Sequence, residues 1–528
     1  MRRRPTGSSL SVHTATGMDQ TLAERVRELQ SVDPDAFAQQ AAQDAEVVKS
    51  LLREGAFDNH RAVVGMEYEF YAAADGRWAE NDATDGTLMR VPRRLFDLID
   101  FEKELGLHNA EMTTSPQPFN SYGMAAQSAE IRSHLQNARD CTKAEGMRLV
   151  SDGIWTIPPA GETAREYLTD SVVDDGVRIA VNMSDAVRYH AMSNTDAIDP
   201  PMTIEAPNVD LEADTVMPES LITSIQPHYQ MSRAADLPRH HTYALRIAGP
   251  LLALGVNAPF FPPDLYADGV DAETILDEAY MEHRIAVFES VLNTDGAEKV
   301  SFPPDLDTVE EAVDRIAGDD VVVPIPTADD GDRFDDQFAT FRAKHGTYWR
   351  WVRPVFGGST RSDANARIEF RPLPGQPTVK DTVSFLAAFA GLMQQLPRHG
   401  HPVDELDWAT AESNFYDAMR EGLDADLHWI TADGERTTDT DELYDDLLAN
   451  ASAGLQSAGC SAAAAEEYLA PLRHRVENRV TPASWKLDRA RDRIEDGEAF
   501  ADAVQDTKRE YVHQQRETLL RGSFADWA

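Results

Sequence analysis

Apolar and polar positions along the chain change period several times, and each change marks an element. In TLAERVRELQSVDPDAFAQQAAQDAEVVKSLLREG the apolar residues recur at helical spacing, which predicts helix over about residues 21–55. AVVGMEYEFYAA, residues 62–73, alternates side chains within a β-rich composition and reads as a strand. GLHNAEMTTSPQPF reads as a second strand ending in a turn. Met124, Ile131, Leu135, Ala138 and Met147 then keep helical spacing from Ser121 to Val150, a unit that Gly153, Pro158 and Pro159 close.

Residues from about 160 to 215 are polar and stay unassigned, although VRIAVNMSDAVRYHAM can supply a strand and a short helix. LITSIQPHYQMS, Leu221 to Ser232, reads as a strand, and Arg239 to Leu254 as a helix capped near Gly255. An insertion is expected around Pro303 to Asp335, ending before TYWRWVRPVF. ARIEFRPLPGQP, Ala366 to Pro377, is another strand closed by a Pro/Gly turn, and TVKDTVSFLAAFAGLMQQL is a strongly apolar helix. Beyond Pro402 the pattern is helical, with LHWITA as the one strand-like run.

A chain of 528 residues, 42% of them hydrophobic, is long enough to bury one large core or two moderate ones. Asp and Glu number 91 against 49 Lys and Arg, a formal net charge of -42, which makes nucleic acid and anionic membranes poor partners. Such a charge repels itself unless counter-ions screen it, so the surface reads as halophilic, adapted to concentrated salt. An acidic interaction tail is the alternative, but the acids are spread along the whole chain. Cys141 and Cys460 are far apart and support neither a disulfide framework nor a zinc site, which fits a cytoplasmic protein. The longest apolar stretch, Ile247 to Phe261, is broken by Gly and Pro and is shorter than the ~20 residues of a spanning helix. MRRRPTGSSLSVHTATGMDQ has arginines without an apolar region behind them, so it reads as a disordered leader over residues 1–20, with Met18 an alternative start.

Four strand-like runs carry candidate chemistry. Glu67 and Glu69 lie two apart on a strand and so share a face, which suits a cation or an exposed acidic face about equally. Glu111 stands on the next strand just before its turn. Gln226, His228 and Gln230 alternate in SIQPHYQ, where a satisfied core or surface histidine is the plainer reading. Arg367, Glu369 and Arg371 alternate in ARIEFRPLP, as a surface ion-pair ladder would. Together, however, oxygen ligands for a divalent metal beside arginines are what phosphoryl transfer needs. No GxxxxGK[ST] and no GxGxxG after a strand is present, so a nucleotide would be held through metals and arginines.

These runs resemble the glutamate-cysteine ligase family, the carboxylate-amine ligase branch of the glutamine-synthetase-type fold. The resemblance rests on GMEYEF, AEMTTSP, GMRLVSDGIWTIP, QPHYQ with PLLALGVNAPFF, RIEFRPLPGQPTV, NFYDAMREGLDADL and RVTPASWKLDRARD, over about residues 61–490, with the stretches near 160–215 and 300–335 outside it. It implies an α+β fold, a curved antiparallel β-sheet funnel flanked by helices. A helical segment at 21–60 would precede a catalytic domain at 61–400, with a helical C-terminal region at 401–528 packed on it. It implies Glu67, Glu69, Glu111, His228 and Glu369 as metal ligands, with His228, Gln230 and Arg371 binding the nucleotide. Arg371 and Arg367 would face the transferring phosphoryl group, and Arg284 would hold the substrate carboxylate. ATP and Mg²⁺ (or Mn²⁺) are the implied cofactors, and a small carboxylate and an amine are the implied partners, with a homo-oligomer left open. The expected reaction joins glutamate to cysteine through an acyl phosphate, as in glutathione biosynthesis. A guanidino-kinase-like enzyme of the same fold and a non-catalytic ATP- and metal-binding protein are the alternatives. Pro227 departs from the pattern, since proline is disfavoured in a central strand.

Overall fold

The computed structural model describes residues 20–77, 84–195, 198, 201–293, 298–327 and 331–527, so nearly all of the expected leader lies outside the described residues. The alternating segments assemble into one curled antiparallel sheet. In chain order its strands are β1 (Val63–Ala74), β2 (Glu102–Lys103), β3 (Asn109–Thr113), β4 (Gln117–Pro118), β5 (Met147–Val150), β6 (Ile225–Gln230), β7 (Val352–Gly357) and β8 (Asn365–Phe370). The spatial order is β7-β8-β6-β1-β3-β2, with β4 and β5 also paired to β1. The long β1 carries β6 and then β5 along one edge, and β4 and then β3 along the other.

Alternation along these strands separates two faces. Val64, Met66, Tyr68 and Phe70 are at most 2% exposed and belong to the core, while Glu67 and Glu69 point to the other side. The core face meets a central helix, α1 (Val379–His399), where Phe389 stacks on Phe370 at 4.7 Å and Gln394 accepts from the Tyr229 hydroxyl at 2.9 Å. This helix is buried nearly all round because C-terminal helices cover its other side, which explains its continuous apolar sequence. Of the C-terminal helices, Thr440–Ser457 and α2 (Ala462–Asn478) pack on it, and α3 (Pro482–Glu495) and α4 (Phe500–Thr518) follow them in the chain. Arg475 of α2, fully buried, pairs with the buried Asp381 of α1 at 3.0 Å and donates to Gln376 Oε1 at 2.8 Å.

Several expected elements are redrawn. The helix over 21–55 is two helices, Leu22–Gln30 and Pro34–Arg53, because Asp33 caps the second and Pro34 opens it. The helical unit from Ser121 stops at Thr142; Gly146 turns the chain at φ 69° and Met147–Val150 leave to pair with β1. Met147, about two and a half helical turns past Ala138, falls off that helix's apolar face and pairs with β1 instead. The unassigned region supplies a hairpin, Ser171–Asp174 with Val177–Ala180, and the short helix Val187–Met192. The expected helix near Arg239–Leu254 is also two, Leu237–Arg246 and Ala248–Gly255. In the C-terminal region Trp429–Ile430 of LHWITA pairs with Arg436–Thr437. Among the described residues no helix is long and apolar enough to cross a membrane.

Pro227 does sit in a central strand. Its partner Met66 exchanges backbone and hydroxyl hydrogen bonds with Thr114 on the opposite edge, so the missing N–H faces away from β1. On that side the β6–β8 ladder covers only residues 228–230, and Pro227 falls just beyond it.

Candidate active site

Cross-strand register brings the polar face together. Gln226 stands opposite Glu67, Glu111 opposite Glu69, Glu369 opposite both His228 and Arg353, and Arg367 opposite Gln230. One oxygen atom each from Glu67 and Glu369 and a ring nitrogen of His228 lie within 4.8 Å of one another. His228 Nε2 is 3.6 Å from Glu67 Oε1 and 3.8 Å from Glu369 Oε2, and it is buried without a hydrogen-bond partner. The other ring nitrogen, Nδ1, accepts from Arg367 Nε at 3.1 Å.

Glu369 is the electrostatic pivot. Arg353 grips both its oxygens, Nε to Oε1 at 2.7 Å and Nη2 to Oε2 at 3.2 Å, and Arg371 Nη1 donates to Oε1 at 2.8 Å. Burial alone would raise this carboxyl, but Arg353 and Arg371 hold it well below the usual range. Burial, with Arg367, Arg353 and Arg371 adding to it, pulls His228 down to about 3, so the imidazole is neutral. Glu67 goes the other way: burial and Glu369 push it up to about 8 against the neighbouring arginines.

A second group of acids adjoins the first. Glu69 accepts from Ser224 N at 2.7 Å and Gln226 Nε2 at 2.8 Å, and Gln226 Oε1 accepts from Arg371 Nη1 at 2.8 Å. Burial and Glu104 push Glu69 to about 7; burial, Glu67 and Glu104 push Glu111 well above its ordinary value; burial, Glu104 and Glu69 push Glu219 to about 8. Arg188 stands over this group, solvent-accessible, its Nη2 donating at 2.6 Å to Tyr189, whose hydroxyl donates to Glu104 Oε2 at 2.9 Å.

The structure thus gathers Glu67, Glu69, Glu111, Gln226, His228, Gln230, Arg367, Glu369 and Arg371 on one face. Arg284 lies beside the backbone of Arg371. It is 2% exposed, its Nη2 donates to the Arg371 and Pro372 carbonyls just past the β8 ladder, its guanidinium lies over the Trp351 ring, and its Nε is buried without a hydrogen-bond partner. Sequence reasoning missed Arg353, Glu104, Glu219 and Arg188. Arg353 alternates within WVRPVF, a signal that was there to read; Glu219 comes from a 3₁₀ turn and Arg188 from the unassigned polar region, where no periodicity marks them.

The donor set suits a hard divalent cation. Carboxylate oxygens with one imidazole nitrogen match such an ion, and the orphaned Nε2 of His228 points at two of those carboxylates. The raised Glu67, Glu69, Glu111 and Glu219 are buried acids crowded beyond what the neighbouring arginines offset, a repulsion that bound cations relieve.

Comparison with known proteins adds to this geometry. A family model described as glutamate-cysteine ligase family 2 matches residues 63–515. No curated protein matches the chain. Among solved structures, the glutamate–cysteine ligase of Francisella tularensis in complex with AMP is similar at 13% identity, with 89% of this chain and 92% of that one covered and a TM-score of 0.48. A bifunctional glutathione synthetase from Pasteurella multocida is similar at 13% identity over 90% of this chain and 55% of that one, with a TM-score of 0.49.

Proposed function

The chain belongs to glutamate-cysteine ligase family 2, which makes it an enzyme of the ligase class, and from that premise we propose that it joins the γ-carboxylate of glutamate to the amine of cysteine at the expense of ATP. The observation that carries the reading is the adjacency of Glu67, His228 and Glu369 to three arginines, Arg353, Arg367 and Arg371, on one sheet face.

Glu67, His228 and Glu369 would hold one Mg²⁺ (or Mn²⁺), and Glu69, Glu111 and Glu104 a neighbouring one. Bound there, such ions neutralise phosphate charge and orient the phosphoryl oxygens. Arg371 is fixed by Glu369 and Gln226, so its remaining N–H groups meet the phosphoryl oxygens without further ordering. Arg367, held by His228 Nδ1 and by Asn365 Oδ1 at 3.1 Å, does the same on the other side of Glu369. Gln230, opposite Arg367, marks the nucleotide end of the face. At the other end Arg188 is the accessible cation for a substrate carboxylate.

In the first step a carboxylate oxygen takes the γ-phosphoryl group and ADP leaves. In the second the amine nitrogen attacks the acyl carbon, the carbon–oxygen bond to phosphate breaks, and the amine proton passes to solvent. Neither step needs a covalent bond to the protein. ADP release from glutamate, cysteine, ATP and Mg²⁺, with an amide product, tests the reading. ADP release without an amide would make the chain a phosphoryl-transfer enzyme of another kind.

A further inference from the structure

Away from the acidic face, Asp152 is fully buried between two lysines of the C-terminal helices. Lys486 of α3 donates to Asp152 Oδ1 at 2.5 Å and to the Asn257 carbonyl at 2.6 Å; Lys508 of α4 donates to Asp152 Oδ2 and to the Ile154 carbonyl at 2.6 Å. Both lysines are at most 4% exposed. The nearby carboxylate, Glu282, is matched with Arg284 at 3.7 Å, so two ammonium groups share one carboxylate and a buried positive charge is left over. Burial, with Lys508 alongside, pulls Lys486 down to about 7 against Asp152, and an anion in contact would favour its charged form.

The same lysines line a small cavity with Thr156, Thr507 and Asn257. Each ammonium has used two of its three protons. The hydroxyls of Thr156 and Thr507, 3% and 1% exposed, are buried without a partner, as is Asn257 Oδ1. Two ammonium groups and two hydroxyls, each able to donate, therefore border the cavity, and Asn257 Oδ1 is the one unpaired side-chain atom lining it that can only accept. The cavity measures about 10 Å³, room for one particle of the size of water and too small for phosphate, sulfate or a carboxylate.

We propose that this cavity is a binding site for a single monoatomic anion of the halide class, held by Lys486, Lys508, Thr156 and Thr507. The ion completes the charge balance where α3 and α4 meet the Asp152 segment. That segment abuts the sheet, since Gly153 O accepts from Thr223 N and Asp152 O from the Thr223 hydroxyl at 2.5 Å, one residue before Ser224, the donor to Glu69.

Crystals of the full chain soaked in sodium bromide, with data collected at the bromine edge, are expected to show an anomalous peak in contact with both ammonium nitrogens. A water molecule on the same donors overturns the proposal. In solution, chloride titrated from millimolar levels into a fixed high concentration of potassium glutamate should raise the unfolding midpoint along a saturating curve. Thr507→Val, isosteric and remote from the acidic face, should raise the half-saturating chloride about tenfold by removing one donor; Thr156→Val serves if the first variant folds poorly. A strictly linear response to chloride, the same in wild type and variant, overturns the proposal as well.

Discussion

At the scale of single residues, Glu67 and Glu369 occupy one cluster yet are driven in opposite directions, and that contrast is the site's main electrostatic feature. Arg353 and Arg371 hold Glu369 ionised, while Glu67 faces Glu369 without an ion pair of its own. Glu67→Gln is expected to lower kcat by about 100-fold or more, as loss of a group acting on transition-state charge does, with the melting temperature unchanged or raised. Activity within a few-fold of wild type would remove Glu67 from the reaction. Proton linkage gives a second test. Glu69 near 7 and Glu67 and Glu219 near 8 lie above their ordinary 4.5, so the native state keeps protons that the unfolded chain releases. Without divalent ions, stability should therefore fall as pH rises from about 4.5 and level off above about 8, and Mg²⁺ should flatten the slope by favouring the ionised forms. Calorimetry across that range, with and without Mg²⁺, reads both effects; a Mg²⁺-independent slope would argue against a cation at these acids.

Among the elements, what alternation could reveal it did reveal. Glu67 and Glu69, Gln226 and His228, and Arg367 with Glu369 are each read from period-two runs, and β1, β6 and β8 place them on one face. Register across strands is not written in any one run, so the pairing of Arg353 with Glu369 waited for the fold. Met147–Val150 read as part of the preceding helix because they are mostly apolar, and only pairing with β1 makes them a strand. The C-terminal helices make the sharpest stability prediction. Arg475→Met leaves Asp381 buried without its partner and should cost about 3–5 kcal/mol, measurable by urea unfolding. A change below about 1 kcal/mol would mean that the Thr378 hydroxyl and the Phe524 N–H, Asp381's other donors, suffice alone.

For the molecule as a whole, the charge of -42 sits on a fold whose buried ion pairs tie the C-terminal helices to the segments beside the site. Self-repulsion on the surface should make the melting temperature climb steeply as KCl rises from about 0.1 to 1 M, the range over which the screening length shrinks from about 10 to 3 Å. A flat response would show that the surface acids are not tuned to salt. The sheet face sets carboxylates among arginines, and the proposed transfer of a phosphoryl group to a carboxylate is reported most directly by the oxygen atoms. With glutamate labelled by ¹⁸O in its γ-carboxylate, and with cysteine, ATP and Mg²⁺ in concentrated KCl, the inorganic phosphate released alongside the amide should carry one labelled oxygen. Unlabelled phosphate, or no amide from any carboxylate and amine pair, would contradict the account.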